Sequence, residues 1–157
     1  MENKELIDRG VCSSVWGSCA KLQATNWLSD ISNTFDLENI VEVRFKNTRK
    51  DYFINVNNLK LESGDLVAVE ANPGHDIGIV SLTGELVSIQ MKKHKPTLVN
   101  GELRKIYRKA RPLDIKKWRE AISLEYETMI KSRKIAADLK LNMKIGDVEY
   151  QGDDTKA

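Results

Sequence analysis

The sequence has little of what several common protein classes depend on. Of its 157 residues, two are cysteines, two are histidines and 6% are aromatic. The cysteines, Cys12 and Cys19, are too few for a disulfide-based scaffold. No apolar run approaches the roughly 20 residues that a helix needs to cross a bilayer, and the charged first ten residues do not resemble a secretory signal. We therefore expect a cytoplasmic protein with reduced thiols.

Motifs that carry much of enzyme chemistry are also missing. The sequence contains no Gly-rich phosphate loop, no dinucleotide-binding glycine pattern and no Gly-x-Ser-x-Gly nucleophile motif. His75 follows a Pro-Gly turn, and we interpret it as a solvated turn residue; His94 lies among lysines and is interpreted as a surface residue. The sequence predicts a protein that is not an enzyme and has no evident small-molecule substrate.

Cys12 and Cys19 are the candidate metal ligands. Zinc and iron–sulfur sites usually take four thiolate or imidazole ligands, so these two residues could supply half of one site. Two ordinary reduced thiols and a partial site completed by a partner are both open interpretations. The chain alone is expected to hold no cofactor.

A net charge of only +2 hides a strong segregation of charge. Residues 92–119 contain 11 basic and 2 acidic residues and carry +9, while the rest of the chain is net acidic. Such a segment can contact phosphates, meet an acidic protein surface or form a solvated link. Only Tyr107 is interleaved with the basic residues, which does not indicate base stacking. The predicted contact residues are Lys92, Lys93, Arg104, Lys105, Arg108, Lys109 and Arg111.

Alternating apolar and polar residues predict strands between residues 40 and 91. The alternation is clear in IVEVRF, around Tyr52 and Ile54, and in LVAVEA and IGIVSL, with Gly- and Pro-containing turns between the runs. ELVSIQM is predicted as a fifth strand. Five short strands in one segment predict a small antiparallel β-barrel at 40–91, preceded by a flexible, Cys-containing leader at 1–39.

A basic connector is predicted at residues 92–111, with a short strand at 103–108. A long helix is predicted to begin at Pro112, with an apolar stripe that includes Trp118 and Tyr126.

A strand is predicted at residues 143–150, followed by a turn signal at 151–154. Because a strand without a pairing partner is unstable, we expect residues 112–157 to form a helix and the first strand of an incomplete domain, either truncated or completed by strands from a partner. A free C-terminal tail is the alternative. The predicted fold class is α+β: a small antiparallel β-barrel, then a long helix and the start of a truncated α+β unit.

Three runs carry a resemblance to a known family: VEVRFKNTRKDYFINVNNLKLESGDLVAVEANPGHDIGIVSLTGELV, RKARPLDIKKW and LKLNMKIGDVEYQGDDTKA. Over residues 40–157 the chain resembles the N-terminal portion of the bacterial polymerase-suppressor C-terminal-domain family. The best-known bacterial members of that family are the RicT (YaaT)-like regulators. The most telling pieces are Ser63-Gly64-Asp65, Gly78 and Val148-Glu149-Tyr150.

The resemblance implies a non-enzymatic regulatory or adaptor protein. RicT-like proteins act with two small helical partners in a complex that carries iron–sulfur clusters and supports RNA processing by an endoribonuclease. The implied partners are therefore small helical regulators, the endoribonuclease and RNA, and the implied cofactor is an iron–sulfur cluster shared in the complex. The family's cysteine-rich motif lies in a part that this sequence does not include. The alternative function is a stand-alone nucleic-acid-binding module that uses the basic connector.

Overall fold

A computed structural model describes residues 39–99 and 101–157. The strands are Ile40–Arg44 (β1), Lys50–Ile54 (β2), Leu66–Glu70 (β3), His75–Leu82 (β4), Leu98–Val99 (β5) and Glu102–Lys109 (β6). The helices are Glu85–Lys93 (α1) and Pro112–Asp138 (α2). The candidate ligands Cys12 and Cys19, with residues 1–38 of the predicted leader, lie outside the described residues.

The six strands form one mainly antiparallel sheet in the order β2–β1–β4–β3–β6–β5. Val41 of β1 lies opposite Phe53 of β2, and Ala68 of β3 lies opposite Ile77 of β4. β2 also makes a short parallel pairing with β6, in which Phe53 lies opposite Arg104. The α+β class and the strands predicted at β1 to β4 are confirmed, while closure of the sheet into a barrel stays a prediction.

One face of the strands lines the main core. The alternation predicts this face correctly in β1, whereas in β2 it is Phe53, not Tyr52 and Ile54, that enters the main core. The buried side chains of the main core are Val41, Val43, Phe45, Phe53, Val67, Val69, Val80 and Ile106. The rings of Phe45 and Phe53 meet edge to face, with centroids 6.0 Å apart. Because each such side chain stabilises the fold by about 1.5–3 kcal/mol when buried, this cluster fixes the strand register.

The stretch ELVSIQM, predicted as a fifth strand, belongs to helix α1. Leu86 and Val87 are buried against residues of β2 and β4. Glu85 lies in the first turn, and Lys92 and Lys93 in the last turn, where each charge complements the helix dipole. The strand prediction was wrong because a short apolar run does not by itself distinguish a strand from a helix.

Much of the basic segment belongs to the sheet. β6 extends the strand predicted at 103–108 by one residue at each end. Ile106 is fully buried, and β6 pairs with β2, β3 and β5. The segment predicted as a connector therefore contains a strand that pairs with three other strands of the sheet.

The long helix predicted to begin at Pro112 is confirmed. Trp118 is buried against residues of β3 and β4. Tyr126, predicted on the apolar face, is 72% exposed, whereas Ala121 and Glu125 are buried. Spacings of three and four place residues 118, 121 and 125 on one face of the helix. Tyr126, the next residue, lies about 100° further around the helix axis. No helix among the described residues is both long and apolar enough to cross a membrane.

The segment after α2 does not form the strand predicted at residues 143–150. Residues 143–150 belong to no strand of the described sheet. Side chains hold the segment instead: Lys46 Nζ lies 2.6 Å from Asp147 Oδ1, and Arg133 Nε donates to the Ile145 carbonyl at 2.8 Å. The prediction was wrong because polar side chains, rather than a neighbouring strand, partner this segment.

The turn predicted at residues 151–154 is confirmed, and it closes against the start of β4. The N–H of Asp154 donates to the Gln151 carbonyl at 2.9 Å. The N–H of Gly152 donates to the buried Asp76 Oδ1 at 2.8 Å. A Cβ at Gly152 would lie 2.6 Å from the backbone nitrogen of Ile77, so this close approach requires glycine.

Candidate functional site

β6 carries both buried and exposed basic residues. Arg104 lies beside the core residue Ile106, and its side chain is mostly buried. Lys105 and Lys109 are exposed, and Tyr107 is 42% exposed. We call these last three residues the exposed β6 surface, although Lys105 and Lys109 lie on opposite faces of the strand because Lys109 pairs with Val67 and Ile106 pairs with Val69. The sequence predicted contact residues throughout this strand, and the structure shows that they occupy two different environments.

Tyr107 occupies an irregular position in the pairing of β6 with β3. Ile106 lies opposite Val69 and Arg108 lies opposite Ala68, so consecutive β3 residues face β6 residues that are two apart. Tyr107 is therefore the extra residue of a β-bulge. Bulges locally change the direction of side chains and are common beside functional sites.

Arg104 is held inside the molecule by two contacts. Its guanidinium pairs with Asp51, and its Cζ lies 4.9 Å from the centroid of the Phe53 ring. The same carboxylate accepts the N–H of Thr97 at 3.1 Å. A planar guanidinium suits both a carboxylate and an aromatic face, so Arg104 stabilises the sheet.

Arg108 joins β6 to the first turn of α2. Its guanidinium donates to both carboxylate oxygens of Asp114, with Nη2 3.1 Å from Oδ1. The N–H of Arg111 donates to Asp114 Oδ2 at 2.8 Å. Burial by itself would raise the pKa of Asp114, but the hydrogen bonds from Arg108 and Arg111 hold that pKa below its ordinary value. The ion pair therefore fixes the start of the helix.

The two lysines of the exposed β6 surface have acidic neighbours. Lys109 Nζ lies 2.7 Å from Asp65 Oδ2. Burial by itself would raise the pKa of Asp65, but the hydrogen bonds from Lys109 and from the Glu62 N–H together hold that pKa below its ordinary value. The backbone N–H of Lys105 donates to Glu70 Oε2 at 3.0 Å. Partial burial and the Glu70 carboxylate raise the pKa of Tyr107, so its phenol is protonated at neutral pH.

The other predicted contact residues lie on different elements. Lys92 and Lys93 are exposed in the last turn of α1, and Arg111 is exposed at the N-cap of α2. Of the seven predicted contacts, Arg104 and Arg108 are thus committed to internal ion pairs, and Lys109 is exposed but paired. Lys92, Lys93, Lys105 and Arg111 present their side chains to solvent.

The pattern of ELRKIYRK contains a signal that sequence reasoning missed. In a strand, Arg104 and Ile106 share one face, so burial of the isoleucine carries the arginine inward with it. The acidic partners of Arg104 and Lys109, which are Asp51 and Asp65, lie far away in the sequence, and nothing local identifies them. The bulge at Tyr107 is likewise invisible, because it depends on the register with β3.

The two histidines and the possible metal ligands were also considered from the sequence, and their positions in the fold are as follows. His75 is the first residue of β4 rather than a solvated turn residue, and its N–H donates to Asp153 Oδ2 at 3.0 Å. His94 is exposed, as predicted. Within residues 39–99 and 101–157, no three His, Cys, Asp or Glu side chains are grouped to hold a metal ion. The described part also supplies no thiolate to an iron–sulfur cluster.

Comparison with known proteins bears directly on the segment that contains this surface. Residues 104–157 match the family model described as the PSP1 C-terminal conserved region. No curated protein and no solved structure matches the chain. The matched stretch includes most of β6, all of α2 and the C-terminal segment that returns to the sheet. The predicted resemblance to the polymerase-suppressor C-terminal-domain family is confirmed over this stretch, where residues 104–157 match the PSP1 C-terminal conserved region.

Proposed function

We propose that this chain is a non-enzymatic, cytoplasmic regulatory or adaptor protein that acts in RNA processing through protein partners. The family match supports a relationship to RicT-like regulators. The observation that carries the proposal is the exposed β6 surface, because the sheet holds it rigidly while the neighbouring arginines are neutralised internally. The partners proposed are small helical regulators, an endoribonuclease and RNA.

The proposal includes the architecture and the cofactor of the complex. The pairing of β2 with β6 supports a small β-barrel, since it joins strands from two separate parts of the sheet order. Cys12 and Cys19 are proposed as a partial ligand set for a shared iron–sulfur cluster. Such clusters usually take four protein ligands, so partner subunits would supply the remainder.

A charge-removal experiment tests Lys105 of the exposed β6 surface together with Lys92 and Lys93, the exposed lysines in the last turn of α1. The variant Lys92→Ala/Lys93→Ala/Lys105→Ala removes three exposed charges and disturbs none of the internal ion pairs of Arg104 and Arg108. The control Lys134→Ala/Lys140→Ala/Lys144→Ala removes the same charge near the far end of α2. Binding of a labelled single-stranded RNA is measured by fluorescence anisotropy between low and moderate salt, with and without purified partners.

We expect the first variant to bind more weakly, with the slope of log affinity against log salt reduced by about 2, since each phosphate contact to a single strand contributes about 0.7. The control should keep the slope of the unmodified chain. Equal slopes for all three proteins would contradict the proposed surface.

The same titration distinguishes the second candidate function, a stand-alone nucleic-acid-binding module. The +9 charge of residues 92–119 favours this candidate, since cationic segments bind phosphates without help from partners. Tight binding by the isolated chain at submicromolar concentration would support the module. Binding that requires a partner would support the adaptor.

A further inference from the structure

We infer that a groove at the end of α2 binds an acidic amphipathic segment of this chain, residues 22–38. The groove lies between the last turn of α2 and the residues that follow the helix, and its volume is about 490 Å³. Its apolar lining residues are Ala136, Ala137, Leu141, Met143 and Ile145. This surface is separate from the exposed β6 surface.

Hydrogen bonds at the end of α2 hold the groove in shape. The N–H of Leu141 donates to the Ala136 carbonyl at 2.9 Å, and Lys140 between them has a φ of 52°. This left-handed turn is a common way to end a helix. Arg133 Nε donates to the Ile145 carbonyl at 2.8 Å and brings the following residues back against the helix. The groove therefore exists before a ligand binds, which lowers the entropic cost of binding.

Apolar side chains around the groove are accessible to solvent. Leu141 is 50% exposed, Met143 is 56% exposed and Leu139 is 63% exposed. With this much surface accessible, no described segment of the chain covers them. Apolar side chains gathered around a concave surface are typical of sites that take up an amphipathic helix.

The groove is surrounded by positive charge. Residues 129–146 contain five basic residues and one acidic residue, Asp138. Lys134, Lys140 and Lys144 are exposed and form no ion pair with a described residue. Two copies of this face would repel each other, so the charge argues against self-association of the face and for an acidic ligand.

Residues 22–38, which lie outside the described residues, have the complementary chemistry in their sequence. They contain three acidic residues and no basic residue. Trp27, Ile31 and Phe35 recur at intervals of four, a spacing that predicts a helix with one apolar face. Every chain that has the groove also carries this segment, so the two are present in equal number.

The shape of the groove favours a peptide over a lipid bilayer. A surface that binds a membrane presents its apolar side chains outward, so that they enter the bilayer. Here the apolar residues line a concavity, which suits a large side chain that projects from a ligand. Trp27 is a side chain of this kind, since an aromatic ring supplies a large apolar area on a rigid group.

A peptide titration tests the inference. The receptor is the full 157-residue chain with Trp27→Ser/Ile31→Ser/Phe35→Ser, so that its own segment cannot fill the groove. A labelled peptide of residues 22–38 should bind this receptor, as measured by fluorescence anisotropy. It should bind the unmodified chain at least about 10-fold more weakly, because a tethered segment competes at an effective concentration of roughly a millimolar. A peptide with the same three substitutions should bind neither chain.

Two single substitutions in the same receptor locate the site. Leu141→Asp places a charge in the apolar groove and should weaken peptide binding by about 10-fold or more. Leu113→Asp is the matched control and should leave the affinity unchanged, because Leu113 is 64% exposed at the other end of α2. Equal affinities for these two receptors, or no peptide binding to the parent receptor, would overturn the inference.

A cross-linking measurement requires no variant. A carbodiimide joins a carboxylate and an amine that are in contact, with loss of water. In the unmodified chain it should join an acidic residue of the segment 22–38 to Lys134, Lys140 or Lys144, as mapped by mass spectrometry. Mixing chains of two isotopic compositions shows whether one molecule or two are joined, and either result supports the inference. Cross-links from the segment that are confined to other elements would overturn it.

A double comparison separates this inference from the proposed function. Lys134→Ala/Lys140→Ala/Lys144→Ala in the receptor should weaken peptide binding by about 3- to 10-fold at low salt, whereas Lys92→Ala/Lys93→Ala/Lys105→Ala should not change it. The two sets have the opposite order of effect on RNA binding, so either result can fail alone. Binding to anionic phosphatidylglycerol vesicles that Leu141→Asp abolishes, without peptide binding, would assign the groove to a membrane surface and overturn the inference.

Discussion

Two kinds of basic residue share β6, and they differ in what they contact. Arg104 and Arg108 lie against the carboxylates of Asp51 and Asp114 and act inside the fold. Lys105 is exposed to solvent. Guanidinium groups form planar, bidentate pairs, whereas ammonium groups are compact and strongly hydrated. The difference teaches that a count of basic residues overstates the charge available to a partner.

The largest expected effect comes from truncating a buried side chain of β6. Ile106→Ala should lower the free energy of unfolding by about 2–5 kcal/mol, because it leaves a cavity in the main core. Lys105→Ala, one residue away, should change that free energy by less than about 0.5 kcal/mol. Urea unfolding followed by circular dichroism measures both. Similar losses in the two variants would contradict the division of β6 into buried and exposed residues.

A pH titration sharpens the comparison at the Arg108–Asp114 pair. Asp114→Asn should lower the free energy of unfolding by about 1–2 kcal/mol at neutral pH, since it removes a charged hydrogen-bond acceptor from the first turn of α2.

The direction of the pH dependence follows from the lowered pKa of Asp114. A carboxyl group whose pKa is lower in the folded state stabilises the fold above its unfolded pKa of about 4, and that contribution is lost as the pH falls through the folded pKa. The difference in free energy of unfolding between Asp114→Asn and the unmodified chain should therefore narrow as the pH falls from 7 towards 2. Asp154→Asn, in an exposed turn, serves as the control. A gap that widens in acid would contradict this account.

The smallest expected effect belongs to the exposed pair of Lys109 and Asp65. Asp65→Asn should alter the free energy of unfolding by less than about 1 kcal/mol, and less still in high salt, because exposed ion pairs contribute little. The same change releases Lys109 and should raise RNA affinity by about two- to fivefold at low salt. Anisotropy and thermal melting measure the two effects. A large loss of stability would show that this lysine belongs with the structural arginines.

The regular part of the fold could be predicted because its signals are local. Val41 and Val43 alternate with polar residues, and Pro112 marks a helix start, so strands and helix boundaries were readable from short windows. The prediction of a strand at ELVSIQM was wrong because its apolar positions suit both a strand and a helix. The prediction that Tyr126 lies on the buried face was wrong because the direction of that face depends on how Trp118 packs against the sheet.

The candidate site was only half predictable for a different reason. The basic residues were evident from composition, but the pairing of Arg104 and Lys109 depends on partners distant in sequence. Arg104 meets Asp51 across 53 positions, and Lys109 meets Asp65 across 44. Tyr107 owes its exposure to a bulge that exists only once β3 and β6 have paired.

The return of the C-terminal segment to the sheet has a consequence for the order in which the molecule forms. Lys46 meets Asp147, and Asp76 meets Gly152, across 101 and 76 positions. Contacts between such distant residues require closure of long loops and slow the folding of a chain. During synthesis, β1 to β4 can pair and Arg49 can meet Asp76 early, but Asp76 Oδ1 cannot accept the N–H of Gly152 until that segment has been made. We therefore expect the contacts of Asp147 and Gly152 with the sheet to form later than the pairing of β1 to β4.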